Sequence, residues 1–540
     1  MGNGRSRTNP KPDRRSGNRF IDAISRHKRG TVFLAMVILA IASIPRLFFS
    51  NWSYYPNGVD EGIDIMSGKM MAAGYALYTQ VNTVQPPLML SLYGFLDADP
   101  LFFRLLSTAA SLVVLGLILY AAHRIGGKSV MVAAGAFMAM DLMFLHESRL
   151  ASLDMFSLIW VAVGVALFIR VRERGEKWAS ILMGAVLGIA IMTKLFGVIA
   201  SGAIFLILLY DLLSHTDLLR KYDLGRFLPP SGGDRKPKWN VLFIFSLTIA
   251  LVVLFVMVFF GIEEVIQGIF INQLNRPQDS IFQKMIYFGV FFLCNIVALP
   301  FFFAGLKPTY RKREGIILLI SAFYLVFMLI QAKTWAHHLI FLSPALSLTA
   351  GVGIIKLARD ISSGKFKLKI KLSKKTVTYA EVLLIIAAAF VGGGTSLVIK
   401  ERGAPVEHNA AEVLAGITEE GDYVISGDPM IPLLADRPIP PEVVNVAVVQ
   451  WPPITSDFLN RSVIDYGVTA VVLSYHLLEM KGFVEFVEEH FELESYILET
   501  NLPFPMEDYE IWIYELPGDS SLRDHEGWGA LIPEEESPGS

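Results

Sequence analysis

The 540-residue chain has one cysteine, Cys294, so no disulfide can form within it, and thiol content neither supports nor excludes an oxidising compartment. Charge is also scarce. Charged residues make up 18% against 53% hydrophobic, which excludes an ordinary soluble domain and makes a bilayer the natural solvent. The formal net charge of −3 hides a polarised chain and says little about partners. A cleavable leader is not indicated, because the basic N-terminus runs through a polar stretch with no small-residue cleavage site; the first apolar block reads as a retained span.

Apolar blocks near the ~20 residues that cross a hydrocarbon core fill the chain up to about Lys400. The candidates are Thr31 to Ser50, Leu101 to Ala122, Ser129 to Leu145, Leu153 to Ile169, Ala179 to Thr193, Leu195 to Tyr210, Val241 to Phe260, Ile286 to Ala304, Gly315 to Leu329, Leu339 to Ile355 and Tyr379 to Ile399, about eleven in all. Lys and Arg crowd Arg5 to Arg29, Arg170 to Lys177, Arg220 to Lys238, Lys307 to Arg313 and Arg359 to Lys375. The positive-inside rule makes these stretches cytoplasmic.

The parity of this assignment makes Ala179 to Tyr210 start and end on the cytoplasmic side. Two crossings of about 15 residues reach only ~22 Å each, short of a ~30 Å core, so the segment reads as a shallow broken hairpin turning at Thr193-Lys194-Leu195-Phe196-Gly197. A lysine at that depth must face water, protein or an anion, unless it snorkels to the headgroups.

Residues 401–530 read as a soluble extracytoplasmic domain of α/β or α+β type. Its β-like runs are Tyr423 to Ser426, Thr469 to Leu473 and Tyr509 to Tyr514, and helical spacing runs from Phe483 to His490. From residue 401 onward there are 28 acidic and 5 basic residues, a poor composition for binding nucleic acid or anionic lipid. Residues 531–540 read as a disordered tail and residues 1–30 as a basic cytoplasmic one.

The first outer loop, 51–100, carries Asn57-Gly58-Val59-Asp60-Glu61-Gly62. Flanking glycines suit a tight turn at the end of the first span, with one carboxylate free to act as a base; a solvated turn is the alternative. Asp64 to Leu77 has apolar residues at helical spacing and is expected to lie along the membrane interface as an amphipathic helix. Pro86-Pro87 stiffens the return.

Asp60-Glu61-Gly62, Met70, Gly74, Leu77-Tyr78 and Pro86-Pro87-Leu88, in that order, resemble the first outer loop of the GT-C glycosyltransferases. The likeness is to the group of protein O-mannosyltransferases and aminoarabinose transferases. His146-Glu147-Ser148-Arg149-Leu150 with Asp154, Lys194-Leu195-Phe196-Gly197, and His337-His338-Leu339 through Pro344 are similar to further motifs of that group. All four stretches fall on one face by charge counting alone.

The resemblance implies a GT-C-like polytopic α-helical membrane protein, residues 31–400 forming its catalytic part. It implies a polyprenyl-phosphate-sugar donor and a protein, glycan or glycolipid acceptor. Asp60 would be the general base, with Glu61 beside it in the catalytic pair, orienting the acceptor or shaping the turn. Arg149, Lys194, His337 and His338 would hold the donor phosphate, and Glu147, Asp154 and Gln85 would support them. Asp154, one turn into an apolar span, is expected to pair with Arg149. Relatives often have Lys or His before the Pro-Pro pair where this chain has Val84-Gln85. A divalent Mg²⁺ or Mn²⁺ on Asp60, Glu61, Glu147 or Asp154 is allowed by ligand chemistry but not demanded by spacing. The expected location is the plasma membrane, with the N-terminus cytoplasmic. A lipid transporter or flippase is the competing reading, opposed by the clustering of charge on one face and the lack of an inverted repeat.

Overall fold

The computed structural model describes residues 15–47, 58–97, 99–213, 228–229, 239–363, 406–446, 453–499, 509–518 and 520, with side chains of the first helix from residue 30. Most of Arg220 to Lys238, the span Tyr379 to Ile399 and the acidic C-terminal end lie outside the described residues.

The membrane part opens with α1 (Arg15–Leu47), α2 (Gly58–Ala72), α3 (Pro87–Leu96) and α4 (Pro100–Met140). Next come α5 (Leu142–Glu147), α6 (Leu153–Arg174), α7 (Lys177–Thr193), α8 (Gly197–Leu213) and α9 (Trp239–Phe260). It closes with α10 (Ile281–Cys294), α11 (Leu299–Tyr310), α12 (Ile316–Ile330) and α13 (Ser343–Ser362), the last led by a 3-10 turn over Ala336–Leu342. Among the described residues six helices are long and apolar enough to span a bilayer, or seven if the bent α10–α11 pair is one span.

Several expected crossings are not straight helices. Within α4, Gly127 has φ 77° and ψ −159°, a backbone open to glycine, and the chain reverses there. A Cβ on Gly135 would meet the Leu119 side chain at 2.5 Å, whereas a straight helix would hold those positions ~24 Å apart. The span expected over Ser129 to Leu145 ends early, because Asp141 leaves the helix and its carboxylate accepts the Phe144 N–H at 3.0 Å. The span expected over Ile286 to Ala304 bends by 90° between α10 and α11. There Asn295 donates its side-chain amide to the Phe291 carbonyl at 3.1 Å, and Pro300 enters without an N–H.

Helices α7 and α8 are 17 residues each, about 25 Å, and are separated by an extended Lys194. Where α13 crosses α4 and α11, small residues replace side chains with backbone contact. A Cβ on Gly351 would lie 2.6 Å from the Ala134 nitrogen, and one on Gly353 would overlap the Phe301 carbonyl.

The bundle has two polar ends. At one, Arg124 pairs with Glu173 at 2.5 Å and Glu314 at 3.0 Å, Arg313 reaches Glu173 at 3.2 Å, and Arg172 grips Asp211 at 2.8 Å. Asp154, in the first turn of α6, belongs to the other end; Glu173 is in the last turn of that helix.

Residues 406–518 contain α14 (Val406–Ile417), β1 (Val424–Ser426), α15 (Met430–Leu434), α16 (Ser456–Tyr466), β2 (Ala470–Ser474), α17 (Lys481–His490), β3 (Glu492–Glu499) and β4 (Tyr509–Glu515). The sheet order is β1-β2-β4-β3, with β1 parallel to β2 and the other pairs antiparallel. Every residue of β1 and β2 is buried, as expected for strands covered on both faces.

This unit sits directly on α2. A Cβ on Gly62 would meet the Met430 backbone nitrogen at 2.5 Å, Tyr75 and Tyr423 share a hydroxyl hydrogen bond of 3.0 Å, and Lys69 approaches Asp436 at 3.8 Å. On its other side α2 meets α3, where a Cβ on Gly68 would lie 2.6 Å from the Leu90 carbonyl oxygen. The expected interfacial amphipathic helix is therefore corrected. It begins at Gly58, takes the acidic pair into its first turn, and is buried on all sides over residues 61–68.

Gly353→Val is expected to cost about 3 kcal/mol or more, because two helix backbones would have to separate. Thermal unfolding in detergent should report it, with Gly416→Ala, which faces open space, leaving the midpoint unmoved.

Candidate active site

Asp60 and Glu61 stand in the first turn of α2, where free backbone N–H groups favour carboxylates. Successive helical residues point ~100° apart, and the two acids go to different fates. Glu61 is buried. Arg104 of α4 donates Nε to Oε1 at 2.7 Å and Nη2 to Oε2 at 2.6 Å, and the Ala151 N–H donates to Oε1 at 2.8 Å. Asp60 keeps 59% of its side chain exposed, with His337 Nε2 at 3.8 Å from Oδ2.

The segment 147–152 is pinned from the same direction. Ser107 and Thr108 donate their hydroxyls to the carbonyls of Glu147 and Ser148 at 3.3 and 2.9 Å, and Tyr93 donates to the Ala151 carbonyl at 2.7 Å. Against this wall Asp60, Glu61, Asp64, Glu147, Asp154, Lys194 and His337 line one cavity of ≈ 300 Å³. Asp154, expected to pair with Arg149, is held instead by Lys194, whose Nζ lies 2.7 Å from Oδ2. Its Oδ1 is buried without a hydrogen-bond partner, and His337 Nε2 is 3.6 Å from Oδ2.

Glu147 is fully enclosed. Burial pushes its carboxyl up, but the His146 hydrogen bond, the charge of His337 and the Ser152 hydroxyl at 2.6 Å bring it down to about 2. His338 stands behind His337, ring centroids 4.5 Å apart, and packs edge-on against Phe196 at 4.5 Å. Arg149 is buried and Gln85 is half-buried; neither lines the cavity.

Residues not anticipated from sequence belong to this region. Asp64 lies one turn beyond Asp60 and is buried; desolvation, reinforced by the Asp60 charge and opposed by Lys194, lifts its carboxyl well above the usual range. The i, i+4 spacing of Asp60 and Asp64 was available in the sequence, but a helix start at Asp64 concealed it. Arg104 and Arg276 also interact electrostatically with the acidic pair, Arg104 with Glu61 and Arg276 with Asp60. No local signal marks either one.

Asp154, His337 and His338 offer ligand atoms within 4.8 Å of one another, a grouping of the kind that holds a metal ion. Some of their atoms already carry hydrogen bonds. His338 Nδ1 accepts the Trp335 N–H at 3.3 Å, which leaves the proton of a neutral ring on Nε2, the nitrogen a metal would need. Lys194 already occupies Asp154, and the oxygens of Glu61 and Glu147 are engaged by Arg104, Ala151, Ser152 and His146. Lys194 engages only Oδ2 and Asp154 Oδ1 has no hydrogen-bond partner, so Asp154, His337 and His338 are the residues that would hold an ion; no step below passes through one.

Comparison with known proteins places this geometry. Residues 68–266 match the family model for dolichyl-phosphate-mannose-protein mannosyltransferase. ArnT from Cupriavidus metallidurans bound to undecaprenyl phosphate superposes with a TM-score of 0.57 at 15% identity, over 91% of this chain and 98% of that one. The chain has the GT-C fold of membrane glycosyltransferases. A second GT-C relative, the oligosaccharyltransferase AglB from Archaeoglobus fulgidus in complex with an inhibitory peptide and a dolichol-phosphate, gives 0.50 at 12% identity, over 92% of this chain and 77% of that one. Identities this low establish likeness of fold alone. No curated protein matches by sequence.

Glu61→Gln removes the carboxylate fork from the buried Arg104 and should destabilise by about 3 kcal/mol, with Glu61→Gln/Arg104→Met recovering much of the loss in thermal unfolding. Glu147 adds stability above its ordinary pKa of 4.5 that disappears as pH falls towards about 2. The acid-induced drop in melting temperature below pH 4.5 should therefore be shallower in Glu147→Gln than in wild type.

Proposed function

We propose that the chain transfers a sugar, a hexose such as mannose, from a polyprenyl-phosphate donor to a hydroxyl acceptor at the extracytoplasmic face of the membrane, with inversion. The observation that carries this reading is the split between the two acids of α2: Glu61 is fully engaged, whereas Asp60 stands open at the cavity mouth. A hydroxyl is a poor nucleophile until a base takes its proton, and Asp60 is the carboxylate free to do so.

The acceptor oxygen, its proton passed to Asp60, then attacks the anomeric carbon from the face opposite the phosphate. The carbon–oxygen bond to phosphate breaks, and the lipid phosphate leaves with the bonding pair. Cationic groups near the cavity answer that charge: Lys194 in its wall and Arg276 beside Asp60, with Arg149 behind, and the imidazoles of His337 and His338 add hydrogen-bond donors. Lys194 would exchange Asp154 for phosphate, two anions competing for one ammonium, so Asp154 keeps the lysine desolvated and aimed until donor arrives. Glu61 is a positioning residue in this scheme. The family match to mannosyltransferases and the undecaprenyl phosphate in the ArnT structure support the donor class.

Purified protein in proteoliposomes, given radiolabelled dolichyl-phosphate mannose or glucose and membrane acceptors, should transfer label, and Asp60→Asn should lose about 10²–10⁴-fold. Equal transfer by Asp60→Asn removes Asp60 as base. Movement of lipid across vesicles without transfer favours a flippase.

A further inference from the structure

The cavity at the candidate active site has more carboxyls in its wall than cations: Asp60, Glu61, Asp64, Glu147 and Asp154 share it with Lys194 and His337. Their engagements differ. Glu61 is held by Arg104 and the Ala151 N–H, Glu147 by Ser152 and His146, and Asp154 by Lys194. Asp60 is exposed at the mouth. Asp64 is both enclosed and unengaged: the residue is 4% exposed, and its carboxyl makes no hydrogen bond or ion pair among the described residues.

Its place follows from the helix. Asp64 is four residues after Asp60, so the two side chains lie on one face of α2, with Asp64 ~6 Å further along the axis. That turn leads from the open mouth of the cavity to its buried floor. One turn further, Gly68 packs against the Leu90 carbonyl and the Tyr93 side chain, so α2 cannot back away and the floor is fixed. A buried carboxyl without a hydrogen bond destabilises the fold in either protonation state, and no protein contact of Asp64 offsets this. Such a group is explained where a ligand completes its bonding. The ligand must offer hydroxyls. A carboxyl bonds a hydroxyl as the acid, donating and accepting, or as the anion, accepting only, whereas a wall this rich in carboxyls repels an anionic group from the floor.

We propose that Asp64 is the floor of the sugar subsite, hydrogen-bonding a hydroxyl of the transferred sugar and so discriminating among sugars. This rests on the glycosyl-transfer reading and adds to it the residue that recognises the sugar itself. The ring then lies along α2, with one hydroxyl at Asp64, its phosphate towards Lys194 and its anomeric carbon open to an acceptor activated at Asp60. Asp64 touches the substrate but takes no proton in the transfer. The two acids one turn apart divide the work, Asp60 acting on the acceptor and Asp64 on the donor sugar.

The test uses full-length protein in proteoliposomes with total membranes of the source cells as acceptor. The donors are radiolabelled dolichyl-phosphate mannose or glucose, whichever the wild type transfers, and analogues that each lack one sugar hydroxyl. The readout is kcat/KM for each analogue relative to its parent. One analogue's penalty, about tenfold in wild type as for one lost hydrogen bond, should disappear in Asp64→Leu, which cannot bond a hydroxyl. It should persist in Asp64→Asn, whose amide can. Asp64→Leu should also melt at a higher temperature than wild type, because an unbonded buried carboxyl is gone, whereas loss of a residue kept for the fold would lower it. The same set of penalties in Asp64→Leu as in wild type overturns the sugar contact and leaves the transfer reading standing. A wild type that consumes none of these donors removes the transfer reading, and the contact with it.

Discussion

The site depends on the buried fork between Arg104 and Glu61, completed by the Ala151 N–H. Three segments distant in sequence meet in that contact: the first turn of α2, the first arm of α4 and the loop entering α6. A planar guanidinium on a carboxylate fixes orientation as well as distance, which a single ammonium would not. Burial makes the contact costly to break and of little net worth to form, so its value lies in specificity of arrangement. Once Glu61 is locked, the helical rotation of one residue aims Asp60 at the cavity mouth. The engaged acid thus determines where the open one points.

The same helix explains why the C-terminal unit is not an appendage. Gly62 admits the backbone of Met430 on one side of α2, and Gly68 admits α3 on another. With no side chain at those points, α2 is clamped between membrane bundle and sheet. The helix that carries Asp60 is therefore shared by both units. A cavity assembled in this way needs few hydrogen bonds of its own. Its walls are rigid because the elements behind them touch backbone to backbone.

Much of this was legible in the sequence, and the failures have physical causes. Charge asymmetry grouped the four motif stretches on one face, and Asp60, Glu61, Glu147, Asp154, Lys194 and His337 do line one cavity. The shallow hairpin at Lys194 followed from charge parity and length together. Hydropathy did not reveal the reversal at Gly127 or the 90° bend after Cys294, because apolar content is blind to one backbone torsion. Two glycines beside an acidic pair read as a turn, yet Gly62 serves close packing inside a helix, a demand set by Met430, more than 350 residues away. Arg104 sits in an apolar run where a lone arginine has no local partner. Its meaning appears only when α2 folds onto α4.

The two arms of the Lys194 hairpin have a further consequence for the surrounding lipid. At about 25 Å they are some 5 Å shorter than an average hydrocarbon core, a mismatch the bilayer relieves by thinning beside them. Such thinning would draw headgroups next to α7 and α8 inward, towards the level of the cavity. On the proposed function a lipid-borne phosphate would reach Lys194 without leaving the polar layer, the protein deforming the solvent instead of dehydrating the substrate. Membrane thickness becomes a determinant of how readily the site is reached, and the same residues should work more easily in thin bilayers than in thick, sterol-rich ones.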